Sequence, residues 1–107
     1  MWCSVAKPLY TVNKSPYSAR SLRSCLDHLG DEGSLLLMED GVYGALTKSE
    51  FADELTKLAQ AKRLHVLGSD LDARGLKNER LISGIAVVDY EGFVDLAATH
   101  STVIAWL

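Results

Sequence analysis

The sequence has no excess of positive charge, no long apolar run and only two cysteines. Eleven Lys and Arg stand against fourteen Asp and Glu, for a net charge of -3. Direct nucleic-acid binding is not expected, because phosphates are bound by basic patches. No apolar run approaches the ~20 residues of a membrane span, and residues 1–5 lack the charged and apolar regions of a signal peptide. These absences predict a cytoplasmic protein that makes no membrane contact, in which Cys3 and Cys25 are free thiols.

The sequence does contain short apolar runs separated by turn residues. Its length of 107 residues and its 48% hydrophobic content are typical of one globular domain. The most distinct run is Leu-Leu-Leu-Met at residues 35–38, between Gly33 and the turn residues Asp40 and Gly41. Four apolar residues without alternation predict a strand buried on both faces, as in a parallel sheet, and the run is too short for a buried helix.

Four other runs predict strands, and the segments between them predict helices. The strands are residues 8–12, 64–67, 85–88 and 102–107. A first helix is expected from Ser18, its N-cap, to Gly30, and residues 42–46 are expected to be irregular or a single turn. The later helix caps are Thr47 with Glu50 in a capping box, Ser69 with Asp70, and Asp89. This alternation predicts an α/β single domain over residues 1–107, a three-layer α/β/α Rossmann-like fold with a mostly parallel sheet of about five strands.

Three aspartates, Asp40, Asp70 and Asp89, each follow a predicted strand. Ligands of open parallel sheets bind at the carboxyl ends of the strands. These carboxylates would repel a phosphate, and the sequence has no glycine-rich phosphate loop. A metal site has no supporting His or Cys spacing. We therefore predict neither cofactor nor metal, and we interpret the three aspartates as helix caps and turn residues rather than catalytic groups.

The histidines differ in their expected surroundings. His65 lies within a predicted strand and is expected to be a core histidine bonded to a neighbour. His100 follows the last helix, where its charge would meet the helix C-terminus. His28 comes three residues after Cys25 on one helix, so the two side chains are expected to be neighbours.

Cys25 is the one candidate for chemistry. A charged His28 beside it would lower the pKa of the thiol and favour the nucleophilic thiolate. The alternative is a small buried packing residue, because Cys25 adjoins the apolar stripe of Leu22 and Leu29. It also lies roughly 10 Å along the helix from Ser18, away from the carboxyl ends of the strands and from the positive end of the helix dipole. Both interpretations stay open.

Five stretches of the sequence resemble the DsrH/TusB family, the smallest subunits of bacterial sulfur-relay complexes. They are Thr-Val-Asn-Lys-Ser-Pro at residues 11–16, Leu-Met-Glu-Asp-Gly-Val-Tyr-Gly-Ala at 37–45, Val-Leu-Gly-Ser-Asp-Leu-Asp-Ala-Arg-Gly-Leu at 66–76, Val-Asp-Tyr-Glu-Gly-Phe-Val at 88–94 and Ala-Trp-Leu at 105–107. They cover the chain in order from Tyr10 onward. Cys25 and the Asn-Lys-Ser-Pro run are closer to the DsrH branch.

The resemblance implies a Rossmann-like subunit that assembles with DsrE/TusD-like and DsrF/TusC-like subunits as a dimer of heterotrimers. Such complexes pass persulfide sulfur to a DsrC/TusE-type carrier, in dissimilatory sulfur oxidation or in 2-thiolation of the tRNA wobble uridine. Cys25 occupies the position of the first-helix cysteine of the DsrH branch, which makes it a candidate persulfide carrier with His28 as thiolate support. The principal sulfur-accepting cysteine belongs to the DsrE/TusD-type subunit, so the alternative is a scaffold subunit in which Cys25 only packs.

The apolar ending and one internal segment indicate subunit contacts. Trp106 and Leu107 end the chain without polar residues. They are expected to be paired in the sheet or held by another subunit. Val42, Tyr43 and Leu46 form a second apolar segment that is expected to contact a partner. The residues before the first strand, including Cys3, depart from the family pattern, and no function is predicted for them.

Overall fold

The computed structural model of the chain describes residues 8–15, 20–29, 33–47, 50–76, 80–100 and 102–106. Within these residues the strands are β1 (Pro8–Val12), β2 (Ser34–Leu37), β3 (Leu64–Leu67), β4 (Ala86–Val88) and β5 (Thr102–Trp106). The helices are α1 (Ser21–His28), α2 (Ala52–Gln60), α3 (Gly68–Ala73) and α4 (Tyr90–Thr99), and a 3-10 helix (Glu39–Ala45) follows β2. Each predicted strand is confirmed.

The strands form one sheet in the order β4-β3-β2-β1-β5, and every neighbouring pair is parallel. Connections between parallel strands are right-handed, so α1, α2 and α3 lie on one face of the sheet and α4 lies on the other. The main core agrees, because it contains side chains of α1, α2 and α3 but no described side chain of α4. The three-layer α/β/α fold is confirmed.

Strand β2 is the centre of the sheet, as its unbroken apolar run predicts. Leu35, Leu36 and Leu37 have no exposed surface. Side chains alternate between the faces of a strand, so Leu35 and Leu37 join the main core under α1 and α2 while Leu36 points to the face that carries α4. Burial on both faces explains why the three residues of this run are all apolar.

The capping box predicted for α2 is wrong. The helix begins at Ala52 with Phe51 in the N-cap position. The backbone N–H of Thr47 donates to the carbonyl of Arg80 at 3.0 Å, and Leu46 forms an antiparallel bridge with Leu81. The segment after the 3-10 helix therefore pairs with the chain before β4 instead of opening a helix.

The predictions for the other helix starts differ in outcome. The predicted cap Ser18 lies outside the described residues, and the described helix α1 begins at Ser21 after Arg20. Helix α3 begins at Gly68, so Ser69 and Asp70 lie within it and their prediction as caps is wrong. Asp89 is confirmed as the cap of α4, because its Oδ1 accepts a hydrogen bond from the Gly92 N–H at 2.7 Å.

The predicted contact segment at residues 42–46 is largely core. Val42 is fully buried and Leu46 is 4% exposed, because the 3-10 helix turns them onto β2 and β3. Val42 and Leu46 therefore cannot offer the partner surface that the sequence indicates, whereas Tyr43 packs against the core and is only partly buried. Trp106 is half-buried and pairs with Val12 across β1 and β5, which confirms sheet pairing for the end of the chain up to that residue. No helix in the described ranges is long and apolar enough to cross a membrane.

Candidate functional site

Cys25 lies on the buried side of α1. Its side chain has no exposed surface and packs in the main core with Leu22 and Leu29. Burial removes the water that would stabilise a thiolate, and this raises the pKa of the Cys25 thiol to about 12. At neutral pH the residue is therefore a thiol in an apolar environment, the state in which a free cysteine acts as a packing side chain.

His28 lies on the exposed side of the same helix, within an aromatic cluster. Its ring centre is 5.0 Å from that of Trp106 and 6.4 Å from that of Tyr10. The nearby cation Arg23 binds carboxylates, since its guanidinium contacts Asp27 at 2.7 Å and Glu54 at 2.5 Å. The predicted support of a Cys25 thiolate by His28 stays a prediction.

Arg74 connects the carboxyl ends of β2 and β3. Its Nε donates to Asp40 at 2.9 Å, and its Nη1 lies 3.5 Å from Asp70. The other carboxylate oxygen of Asp70 accepts from the backbone N–H of Glu39 at 2.7 Å, which holds Glu39 at a φ of 49°. Asp40 and Asp70 thus form ion pairs with Arg74 and hold the turn after β2, and the interpretation that they are not catalytic stays a prediction. Asp40, Asp70 and Arg74 lie in two of the family-like stretches, but the sequence did not indicate that Arg74 pairs with both aspartates.

We expect Arg74→Gln to lower the free energy of unfolding by about 1 kcal/mol, because the guanidinium links the 3-10 helix to α3 at a site that is partly shielded from water. Urea unfolding measures this change. The matched control is Arg23→Gln, whose partners Asp27 and Glu54 are 67% and 49% exposed. Its expected loss is smaller, and equal losses would contradict the linking role of Arg74.

The two other histidines lie on β3 and directly after α4. His65 is half-buried on β3, and its Nδ1 is buried without a hydrogen-bond partner among the described residues, so the predicted bond to a neighbour is not made at that atom. Burial, and secondly the charge of His100, lower the pKa of His65. His100 Nδ1 lies 2.6 Å from the carbonyl oxygen of Leu96, which confirms its contact with the end of α4. Within the described ranges, no group of His, Cys, Asp and Glu side chains forms a metal site.

An open groove of about 730 Å³ lies at the carboxyl ends of β3 and β4. Strand β3 leads into α3 on one face of the sheet, whereas β4 leads into α4 on the other. Such a divergence opens a crevice between neighbouring parallel strands. The apolar lining residues are Leu71, Leu81, Val87 and Val88, and the polar ones are Ser69, Asp72 and Asp89. The sequence placed aspartates at this end of the sheet but did not indicate the groove.

Helix α4 carries apolar side chains that nothing in the described structure covers. None of its residues is buried. Tyr90 is 70% exposed and Val94 is 50% exposed, and with the exposed Ala98 they form one stripe at a spacing of four residues. We call these three residues the α4 stripe. The four-residue spacing of these side chains is visible in the sequence. Such a spacing does not reveal whether another part of the protein covers them.

Two solved structures have the same fold. The ychN protein from E. coli has a TM-score of 0.79 and 19% sequence identity, over 94% of this chain and 99% of that chain. The protein of unknown function MTH1491 from Methanobacterium thermoautotrophicum has a TM-score of 0.65 and 16% identity, with the same coverage. At these identities the likeness concerns the fold alone.

Sequence comparison assigns the family. The family model described as DsrH like protein matches residues 14–103. A protein named TusB from Pectobacterium parmentieri is 37% identical over 98 residues, which are 92% of this chain and 99% of that protein. A TusB protein from Enterobacter sp. (strain 638) is 39% identical with the same coverage. Because the family match and these relatives span nearly the whole chain, this protein belongs to the DsrH family.

Proposed function

We propose that this chain is a cytoplasmic subunit of a sulfur-relay complex. In this proposal it assembles with DsrE/TusD-like and DsrF/TusC-like subunits as a dimer of heterotrimers, and the complex passes persulfide sulfur to a DsrC/TusE-type carrier. The chain contributes binding surface, while the reacting thiolate belongs to a partner subunit. Family membership supports the relay, and the uncovered α4 stripe is the observation that carries the role in assembly.

The α4 stripe has the composition of a subunit contact. Contiguous exposed apolar side chains on a soluble protein mark interaction sites, and aromatic residues such as Tyr90 are enriched at the centres of interfaces. Val103 on β5 is also exposed and lies on the face of the sheet that carries α4. Obligate interfaces bury about 2,000 Å² or more and are apolar. A partner on this face would complete the burial that α4 alone does not provide.

A second candidate role is that Cys25 itself carries the persulfide, with support from His28. The position of Cys25 in the first helix after the Asn-Lys-Ser-Pro run favours this role by resemblance to the DsrH branch. Its complete burial and its raised thiol pKa favour the assembly role instead, because a persulfide carrier needs an accessible thiolate. We therefore place the assembly role first.

The destination of the sulfur is the second part of the proposal. The curated relatives carry the name TusB, which favours 2-thiolation of the tRNA wobble uridine over dissimilatory sulfur oxidation. Both routes would use the same contacts in this subunit. A measurement in cells is therefore needed to separate them.

Val94→Lys is expected to prevent assembly with the DsrE/TusD-like and DsrF/TusC-like subunits, because it places a charge at the centre of the α4 stripe. Size-exclusion chromatography after co-expression measures assembly, and the 2-thiouridine content of tRNA measures function in cells. The matched control is Ala61→Lys, which adds the same charge at an exposed site after α2, on the other face of the sheet. This control is expected to assemble and to maintain 2-thiouridine.

Two outcomes would change the proposal. If the unmodified chain elutes as a monomer in the presence of both partners, the assembly role is wrong. If Val94→Lys prevents assembly but leaves 2-thiouridine unchanged and stops sulfur oxidation, the complex belongs to the oxidation route.

A further inference from the structure

Strand β4 is an unprotected edge of the sheet. It pairs with β3 on one side and has no strand on its other side within the described part of the chain. Natural sheets guard such edges by keeping them short, or with charged residues, proline or bulges. β4 is short, at three residues, but it carries no charge and no proline: Ala86 is exposed, Val87 is 55% exposed and Val88 is half-buried. The unpaired backbone groups of this edge are therefore open to another strand.

The groove described above lies at the carboxyl end of this strand. Val87 and Val88 of β4 form part of its lining, and Leu71 and Leu81 complete an apolar floor. The groove is open along its length rather than enclosed, with a volume of about 730 Å³, which is enough for several side chains. A segment that pairs with the free edge of β4 would reach this groove with a side chain at the carboxyl end of the strand, since backbone bonds give affinity and side-chain pockets give specificity in strand addition.

The groove carries negative charge. The charged residues among its lining are Asp72 and Asp89, and Asp72 has no ion-pair partner within the described ranges. Asp89 accepts one hydrogen bond, from the Gly92 N–H, so its second oxygen is available. Arg74, at the C-terminal end of α3, forms ion pairs with Asp40 and Asp70 and not with Asp72 or Asp89. A positively charged ligand would therefore bind this groove more favourably than a negatively charged one.

We propose that β4 and the groove bind an extended segment of another polypeptide, in which an apolar side chain enters the groove and neighbouring Lys or Arg side chains pair with Asp72 and Asp89. The segment adds as a strand to the free edge of β4. This surface differs from the α4 stripe, and the inference does not depend on the sulfur-relay proposal.

A second copy of this chain does not fit as the occupant. Pairing through the same edge would place β4 beside β4, and residues 85–88 contain no Lys or Arg. Because symmetric pairing of two β4 edges is antiparallel and leaves the two grooves at opposite ends, β4 of the second copy would bring no cation to Asp72 or Asp89. The occupant is therefore a segment of a different polypeptide in which basic and apolar residues alternate.

The test uses the purified full-length chain, labelled with ¹⁵N, and the peptide acetyl-Lys-Val-Arg-Val-Lys-amide. We expect saturable chemical-shift changes at the amides of Ala86, Val87 and Gly92, which lie along the edge and the groove. The matched peptide acetyl-Glu-Val-Glu-Val-Glu-amide has the same alternation with opposite charge, and we expect no saturable shifts with it. Shifts confined to other surfaces, equal shifts with the two peptides, or none at millimolar peptide would overturn the proposal.

Two charge variants test the role of the carboxylates. Asp72 is exposed. Asp72→Lys is expected to weaken binding of the basic peptide about fivefold, which corresponds to the upper range of the free energy of one exposed ion pair. The control is Asp95→Lys, an exposed position on α4 that does not line the groove, and we expect unchanged affinity. Equal affinities in the two variants would overturn the charge pairing.

Discussion

Gly41→Ala is expected to lower the free energy of unfolding by about 3 kcal/mol, the upper range for overpacking. An added Cβ at this position would overlap the carbonyl oxygen of Val12 and lie 3.0 Å from its carbonyl carbon. That carbonyl oxygen accepts the hydrogen bond from the Met38 N–H, so relief of the overlap would separate the ends of β1 and β2. Thermal or urea unfolding of the purified chain measures the loss.

The matched control for this prediction is Gly75→Ala. Gly75 has nothing within 4 Å of an added Cβ but has a φ of +68°, so the cost is the strain of a left-handed residue, about 1 kcal/mol. If the two variants are equally stable, the close approach of Gly41 to β1 does not constrain the fold.

Cys25 is expected to react with iodoacetamide roughly 1000-fold more slowly than an exposed thiol at pH 7, because burial raises its pKa from 9.0 to about 12 and so lowers the thiolate fraction. Peptide-resolved mass spectrometry separates its alkylation from that of Cys3. Unfolding in urea is the control and should restore the ordinary rate. Fast alkylation of the folded chain, or a Cys25 peptide that gains one sulfur atom after persulfide loading, would favour the persulfide-carrier role.

The same pKa shift predicts how stability depends on pH. A group whose pKa is raised on folding stabilises the folded state below its unfolded pKa, and this contribution is lost as the pH rises through the folded value. For Cys25 the loss is expected between about pH 9 and pH 12. Cys25→Ala should remove this part of the alkaline destabilisation. In the assembled complex it should leave the rate of sulfur transfer unchanged, and a slower rate with intact assembly would contradict the assembly role.

The strands could be predicted from the sequence because each is a local run of apolar residues. In a parallel sheet with helices on both faces, a central strand such as β2 must be apolar at every position, so the run itself carries the information. The helix starts were less predictable. The pattern of Thr47 and Glu50 satisfies the rule for a capping box, but Thr47 bonds to Arg80 instead, and a partner more than thirty residues away leaves no local signal.

The family-like stretches were recognisable in the sequence, whereas the reason for their composition lies in the folded chain. Residues 37–45 and 66–76 meet where Arg74 binds Asp40 and Asp70. Gly41, in the first of these stretches, approaches the end of β1 too closely for a side chain. These residues hold neighbouring strand ends together, which gives a structural reason for this part of the family pattern.

The sequence by itself determined the α/β class, the five strands and the family, because these follow from local apolar patterns and short motifs. Only the tertiary structure decided which apolar residues are covered. Val42 and Leu46 are buried although the sequence indicated a contact surface, whereas Tyr90 and Val94 are exposed although they lie on an apolar helix. Cys25 was open to both interpretations for the same reason. Burial depends on what packs against a side chain from distant parts of the chain, and a periodic pattern shows only that a face is apolar, not what lies opposite it.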